Sequence, residues 1–129
     1  MCLAGDYPGV EKHRAPIQLN KGPGIKLYDK SGKAHYHQIV PPILVEALEN
    51  VAFEKGIPYQ YEFLAGSTNA DVFAMEHTGV IAGGISIPCR YTHTPVEIVS
   101  LKDTENAIKL TVFSRRAFSR KRSMSFSVL

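Results

Sequence analysis

The sequence has few cysteines, no long apolar run and no phosphate-binding glycine motif, and each absence excludes a class of protein. Its 129 residues contain two cysteines, Cys2 and Cys89, which are too few for a disulfide framework and favour reduced thiols. No apolar stretch reaches the roughly 18 residues that cross a bilayer, and Asp6 interrupts the start where a signal peptide would be apolar. We therefore expect a cytoplasmic protein with no membrane partner.

The glycine-containing strings GPGIK and AGGIS lack the spacing that cradles a phosphate. Neither fits Gly-x-Gly-x-x-Gly or Gly-Lys-Ser/Thr at the start of a helix. Turns and close backbone packing are sufficient to explain these glycines. A nucleotide-binding function is not indicated.

The chain has no excess of basic residues outside its last fifteen positions. The formal net charge is +3, from 15 Lys and Arg against 12 Asp and Glu. Five of the basic residues lie in the last fifteen positions: Arg115, Arg116, Arg120, Lys121 and Arg122. The rest of the chain is slightly acidic, so the high pI describes the tail alone. Such a tail is more often a solvated end, and nucleic-acid binding through it is kept only as a less favoured alternative.

Strands and helices alternate along the chain, which predicts one α/β domain with a largely parallel sheet. The apolar fraction of 44% is enough for a core at this length. Apolar residues recur at helical spacing after Pro42 and stop before Gly56, which predicts a helix between them. A last helix is predicted to begin at Ser100. The remaining predictions are strands at 24–28, 59–66 and 80–88, and a short helix within 67–79.

The strand YQYEFLAG alternates aromatic and polar side chains. Tyr59, Tyr61 and Phe63 are interleaved with Gln60 and Glu62, which is typical of a strand with one buried face.

The histidines and cysteines alone do not establish a site. A metal shared by His35 and His37 is not expected, and His13 and His77 fit a loop and a helix end. Cys89 and His93 could form a nucleophile and its base, but the sequence shows no third orienting residue. A buried, inert thiol is the favoured interpretation.

Five strings, in order, resemble the glutamyl or deblocking aminopeptidases, which are two-metal peptidases that form tetrahedral particles. The strings, AGDYPGV, KGPGIKLYD, EKGIPYQYEFLAG, GSTNAD and ISIPCRYTHTPVEIV, span residues 4 to 99, within a resemblance that extends to about residue 112. The resemblance implies the C-terminal part of a three-layer αβα fold of the zinc-exopeptidase, phosphorylase/hydrolase-like type. It also implies a pair of divalent ions, zinc or cobalt, that activate water while a glutamate acts as general base.

Only one of the family's metal ligands falls on this chain, because the histidine of the Arg-Tyr-x-His-(Ser/Thr)-Pro string corresponds to His93. The resemblance implies that the nearest other ligand precedes Met1, and Asp6 belongs to the turn that follows it. No catalytic residue is assigned. One imidazole cannot hold a zinc ion tightly, since such sites use three or more protein ligands.

The resemblance therefore implies that residues 1–113 are the C-terminal portion of a peptidase catalytic domain, with 114–129 as a basic, disordered tail. Asn69 replaces the aspartate of the family's Thr-Asp-Ala string, and the basic tail replaces the apolar end of the last helix. We expect the chain alone to be nearly inactive on peptides and to self-associate through an uncovered sheet edge. The alternative is a non-catalytic subunit or interaction module that completes a partner's site.

Overall fold

The computed structural model describes residues 2–4, 8–11, 16–30, 37–64, 68, 70, 73–74 and 79–125. In this part of the chain we distinguish seven strands and two helices. The strands are β1 (Cys2–Leu3), β2 (Gly24–Lys30), β3 (His37–Ile39), β4 (Gln60–Leu64), β5 (Ile85–Ser86), β6 (Pro88–Arg90) and β7 (Ile98–Val99). The helices are α1 (Pro42–Glu54) and α2 (Leu101–Ser125).

The strands form two small sheets of mixed direction. In the first, β6 lies between β1, its parallel neighbour, and β7, its antiparallel neighbour. In the second, β2 pairs in parallel with β4 and antiparallel with β3 and β5. The sequence pattern indicates a largely parallel sheet, whereas three of the five described strand pairs are antiparallel. These are the pairs that the short strands β3, β5 and β7 form with their neighbours.

Helix α1 begins and ends where the proline and glycine signals predict. Pro42 occupies the first turn, where its missing N–H is not needed. At the other end Gly56 has a φ of 61° and donates its N–H to the Phe53 carbonyl oxygen, while the Ile57 N–H reaches the Ala52 carbonyl oxygen. This is a Schellman arrangement, in which the left-handed residue satisfies the last carbonyls of the helix.

Helix α2 begins after Ser100, as predicted, and extends further than predicted. The Ser100 carbonyl oxygen accepts the Thr104 N–H at 3.0 Å, and the Ser100 hydroxyl oxygen lies 3.4 Å from the Asp103 nitrogen. A disordered tail is predicted from residue 114, but the helix continues through Ser125. Ser114 is buried and Ala117 packs against the core, so burial favours helix beyond residue 113. The domain boundary at residue 113 stays a prediction.

The main core lies between the second sheet and the two helices. Its buried members are Ile25, Leu48, Val51, Ala52, Ile57 and Leu110. Burying several such aliphatic side chains supplies the main favourable term for docking both helices on one face of β2.

The opposite face of β2 is buried but polar. A bulge in β2 between Lys26 and Tyr28 shifts the register with β4. The Lys26 ammonium lies 2.9 Å from Asp29 Oδ2, and the Thr68 hydroxyl donates to the same carboxylate oxygen. Residues three apart in a regular strand face opposite sides, so the bulge is what brings this pair together.

Strand β4 is confirmed, but its buried side is not the aromatic one. Glu62 is buried and accepts a hydrogen bond from the Ser86 hydroxyl at 2.6 Å, whereas Phe63 is 64% exposed. Tyr61 is also exposed, at 44%. Alternation therefore located the strand, while the neighbouring strands decided which face is covered.

The apolar segment 80–88 is mostly not a strand. Only Ile85 and Ser86 pair with β2, and Val80 and Ile81 are exposed. The Gln38 side-chain amide instead donates to the Ala82 carbonyl oxygen at 2.8 Å. Of the predicted short helix within 67–79, residues 70, 73 and 74 are helical and most of the others lie outside the described part. No helix in the described part of the chain is long and apolar enough to cross a membrane.

Candidate active-site loop

His93 lies in the loop between β6 and β7, which we call the His93 loop and define as residues 91–97. Strand β6 runs parallel to β1, and the Ala4 N–H donates to the Cys89 carbonyl oxygen at 2.8 Å. The loop therefore leaves the carboxyl end of a strand that has a parallel neighbour. In α/β folds, functional side chains collect at such ends.

Two residues of this loop have a backbone conformation that is rare for side chains other than glycine. Tyr91 has a φ of 59° and His93 a φ of 67°. A left-handed conformation costs about 1–2 kcal/mol per residue for such side chains, so the surrounding contacts must hold it.

Glu97 supplies the main side-chain contacts that hold the loop. Its Oε1 accepts a hydrogen bond from the His93 N–H at 2.8 Å, and its Oε2 lies 3.5 Å from the Cys89 Sγ. The carboxylate thus bridges the end of β6 and the residue whose backbone is strained. A charge-assisted hydrogen bond of this kind is about twice as strong as a neutral one.

Threonine hydroxyls close the remaining turns of the loop. Thr94 Oγ1 lies 2.7 Å from the Tyr91 carbonyl oxygen and 2.8 Å from that of Val96, and it donates to one at a time. The Thr92 hydroxyl donates to the Cys89 carbonyl oxygen at 3.3 Å. Since the side chain of His93 is exposed, the loop presents an accessible imidazole on a well-defined backbone.

Cys89 does not pair with His93. Its thiol is fully buried and lies near the Arg90 carbonyl oxygen, at 3.3 Å, and near Glu97. A thiol whose neighbours are a carbonyl and a carboxylate lacks the cationic surroundings that activate cysteine nucleophiles. This geometry supports the structural interpretation of Cys89.

The other histidines that the sequence offers cannot be assigned to this loop. His13, His35 and His77 lie outside the described residues, as do Asp6 and Asn69, and His37 belongs to β3. Within the part of the chain that is described, no three His, Cys, Asp or Glu side chains could jointly hold a metal ion. The described side chains therefore do not fit a complete metal centre, which requires at least three protein ligands.

Sequence reasoning missed Glu97 as a contact of His93. The signal that could have indicated the observed contact is the spacing of four residues across a turn, which lets a carboxylate reach back to a backbone N–H.

The fold and this loop define a class of protein, an α/β chain that presents a histidine at the carboxyl end of a strand. The model of the M42 glutamyl aminopeptidase family matches residues 1–110. The chain belongs to the M42 glutamyl aminopeptidase family, as the five strings predict.

Individual relatives agree with this assignment. The structure of an aminopeptidase from Desulfurococcus kamchatkensis is 41% identical in sequence to this chain, with a TM-score of 0.77. The match covers 86% of this chain and 31% of the aminopeptidase. A TET aminopeptidase of a marine sediment thaumarchaeon has 39% identity and a TM-score of 0.76, over 86% of this chain and 30% of its own.

A protein of Acetivibrio thermocellus, provisionally named an aminopeptidase, is 39% identical over 87% of this chain and 32% of its own length. The chain thus spans about a third of the length of these relatives. The structural similarity confirms the predicted α/β fold, as a C-terminal part of the peptidase fold.

Proposed function

We propose that this chain forms the C-terminal wall of a metal-dependent aminopeptidase active site, with His93 as a metal ligand. The observation that carries the proposal is the His93 loop, in which Glu97 holds the His93 backbone while the imidazole stays exposed. Family membership over residues 1–110 supports the reaction class, which is the release of an N-terminal amino acid from a peptide.

On this proposal the other metal ligands and the general base come from polypeptide that these 129 residues do not include. A co-catalytic pair of divalent ions would polarise the peptide carbonyl and activate water when the site is complete. A single imidazole binds such ions weakly, so the chain alone is expected to have almost no peptidase activity.

A direct assay tests the expected inactivity. The purified chain is incubated with cobalt or zinc ions and with aminoacyl chromogenic peptides of several N-terminal residues. We expect no turnover above that of the metal alone. Turnover that disappears in His93→Ala would contradict the proposal that the chain lacks a complete site.

Complementation tests the role of His93. The chain is co-expressed with the Desulfurococcus kamchatkensis aminopeptidase from which the segment matched by this chain has been deleted. We expect cobalt-dependent activity from the mixture, and none when the chain carries His93→Ala. Lys102→Gln, on the exposed first turn of α2, is the matched control and should restore activity like the unmodified chain. Equal activity with His93→Ala would refute the ligand role.

A second candidate function is a non-catalytic interaction module, and the surface beside the His93 loop favours it. Val96 is 74% exposed and Leu101 is 84% exposed. Strand β7 lies at the edge of its sheet, and both of its apolar residues are exposed as well. Edge strands with apolar side chains pair readily with other chains.

The two candidates predict different results in complementation, whereas self-association is expected of both. As an interaction module the chain should self-associate, and Val96→Lys with Leu101→Lys should make it monomeric. Complementation by the His93→Ala chain should then equal that by the unmodified chain, because the module completes the partner's site without supplying a metal ligand. A monodisperse monomer of the unmodified chain in sedimentation would count against the expected self-association.

A further inference from the structure

A cleft between the end of α1 and the middle of α2 is separate from the His93 loop. It has a volume of about 750 Å³. Its floor is apolar and is formed by Val51, Val112, Phe113 and Ala117. Phe113 and Ala117 also pack against the core, so the floor is part of the folded interior and not a chance contact of surface side chains.

The rim of the cleft is cationic. Lys55, Arg115 and Arg116 line it together with one carboxylate, Glu54. The Lys55 ammonium lies 5.2 Å from the centre of the Phe113 ring, which holds this charge over the apolar floor. The rim therefore carries two positive charges in excess.

The rim cations are not neutralised by the rest of the described structure. Among the described residues, neither Arg115 nor Arg116 takes part in an ion pair. The chain before Arg115 is slightly acidic, so the positive potential is concentrated at this end of the molecule. Arg115 and Arg116 both line the cleft and have no carboxylate partner among the described residues, so each guanidinium group is available to bind an anion.

We propose that this cleft binds a phosphorylated small molecule that carries an apolar group. The excess of two positive charges matches a phosphate monoester, which carries about −1.5 to −2 charges near neutral pH. Arginine forks bind phosphate oxygens in a bidentate manner, and Lys55 adds a third donor. The apolar part of the ligand covers Val112 and Phe113 on the floor.

Titration with phenyl phosphate tests the proposal, with inorganic phosphate and benzyl alcohol as the two partial ligands. Amide chemical shifts of the ¹⁵N-labelled chain are followed at physiological salt. We expect saturable shifts confined to residues 51–55 and 112–119, with phenyl phosphate binding more tightly than either partial ligand. Arg116→Gln should weaken binding about tenfold, since it removes one charge-assisted hydrogen bond.

Lys102→Gln is the matched control, because it removes the same charge from an exposed position of the same helix. It should leave the phenyl phosphate affinity unchanged, and Arg116→Lys should weaken it less than Arg116→Gln does. An equal loss in the Lys102 and Arg116 variants would overturn the proposal in favour of unspecific charge attraction. Absence of saturation up to millimolar phenyl phosphate, or binding only of duplex DNA or an acidic peptide, would also overturn it.

Discussion

The Glu97 carboxylate holds the His93 backbone through a hydrogen bond of 2.8 Å from the His93 N–H. Replacing Glu97 with Ala should release the left-handed conformation of His93 and speed hydrogen exchange at its amide. We expect a loss of about 1 kcal/mol in the free energy of unfolding, because the bond lies at an exposed site. Glu97→Gln keeps an acceptor oxygen and should largely preserve the slow exchange. Identical exchange rates in Glu97→Ala and the unmodified chain would contradict this role.

Asp103 connects α2 to the loop before β2. Its two carboxylate oxygens accept the N–H groups of Asn20, at 2.7 Å, and Gly22, at 2.9 Å, and its side chain is 1% exposed. Asp103→Ala leaves these donors without a partner and should lower the free energy of unfolding by about 2–4 kcal/mol in urea denaturation. Glu105→Ala, on the exposed side of the same helix, should change it by less than about 0.5 kcal/mol.

Gly22 has no space for a side chain. Its φ is 93°, and a Cβ would lie 2.0 Å from the Pro58 carbonyl oxygen. Gly22→Ala should therefore cost more than about 3 kcal/mol of unfolding free energy, since backbone strain and overlap add. Gly56 also has a positive φ but has no atom within 4 Å of the Cβ position, so Gly56→Ala should cost only about 1 kcal/mol. Equal losses in the two variants would show that the close approach to Pro58 is unimportant.

The raised pKa of Tyr61 predicts that the folded chain loses stability at alkaline pH. Hydrogen bonding to Glu49 raises the pKa of Tyr61 well above its usual value, so the folded chain holds the phenol proton more tightly than the unfolded chain. The stabilisation of the folded chain that results is fully present below the unfolded-state pKa of about 10, and it is lost as the pH rises above that value. The urea midpoint should therefore fall between about pH 9 and pH 11, and Tyr61→Phe and Glu49→Gln should both make that fall shallower.

Much of the fold could be predicted because local signals and tertiary packing agree. Pro42 and Gly56 bound α1 as predicted, and Ser100 precedes α2. The errors lie where burial depends on distant partners. Tyr61 and Phe63 are exposed, whereas Glu62 is buried and its Oε2 accepts the Ser86 hydroxyl from β5, a strand distant in the sequence.

The sequence could indicate which residue belongs to the candidate site, but not the backbone conformation and contacts around that residue. The Arg-Tyr-x-His string indicated His93 as a candidate metal ligand through its resemblance to a family; family membership is confirmed over residues 1–110, and the ligand role of His93 stays a prediction. The positive φ of His93 and the Glu97 contact could not be derived, since hydrogen bonding across a loop depends on how its two ends are held by β6 and β7.

The sequence by itself determined the α/β class, the ends of α1, the start of α2 and the family, because each depends on local patterns or on recognisable strings. Only the tertiary structure decided which side of β4 is buried, that the bulge joins Lys26 to Asp29, and that α2 continues through the basic segment. The physical reason is burial, which depends on residues far apart in the chain. A side chain such as Ser114 or Glu62 is covered only when distant elements pack over it.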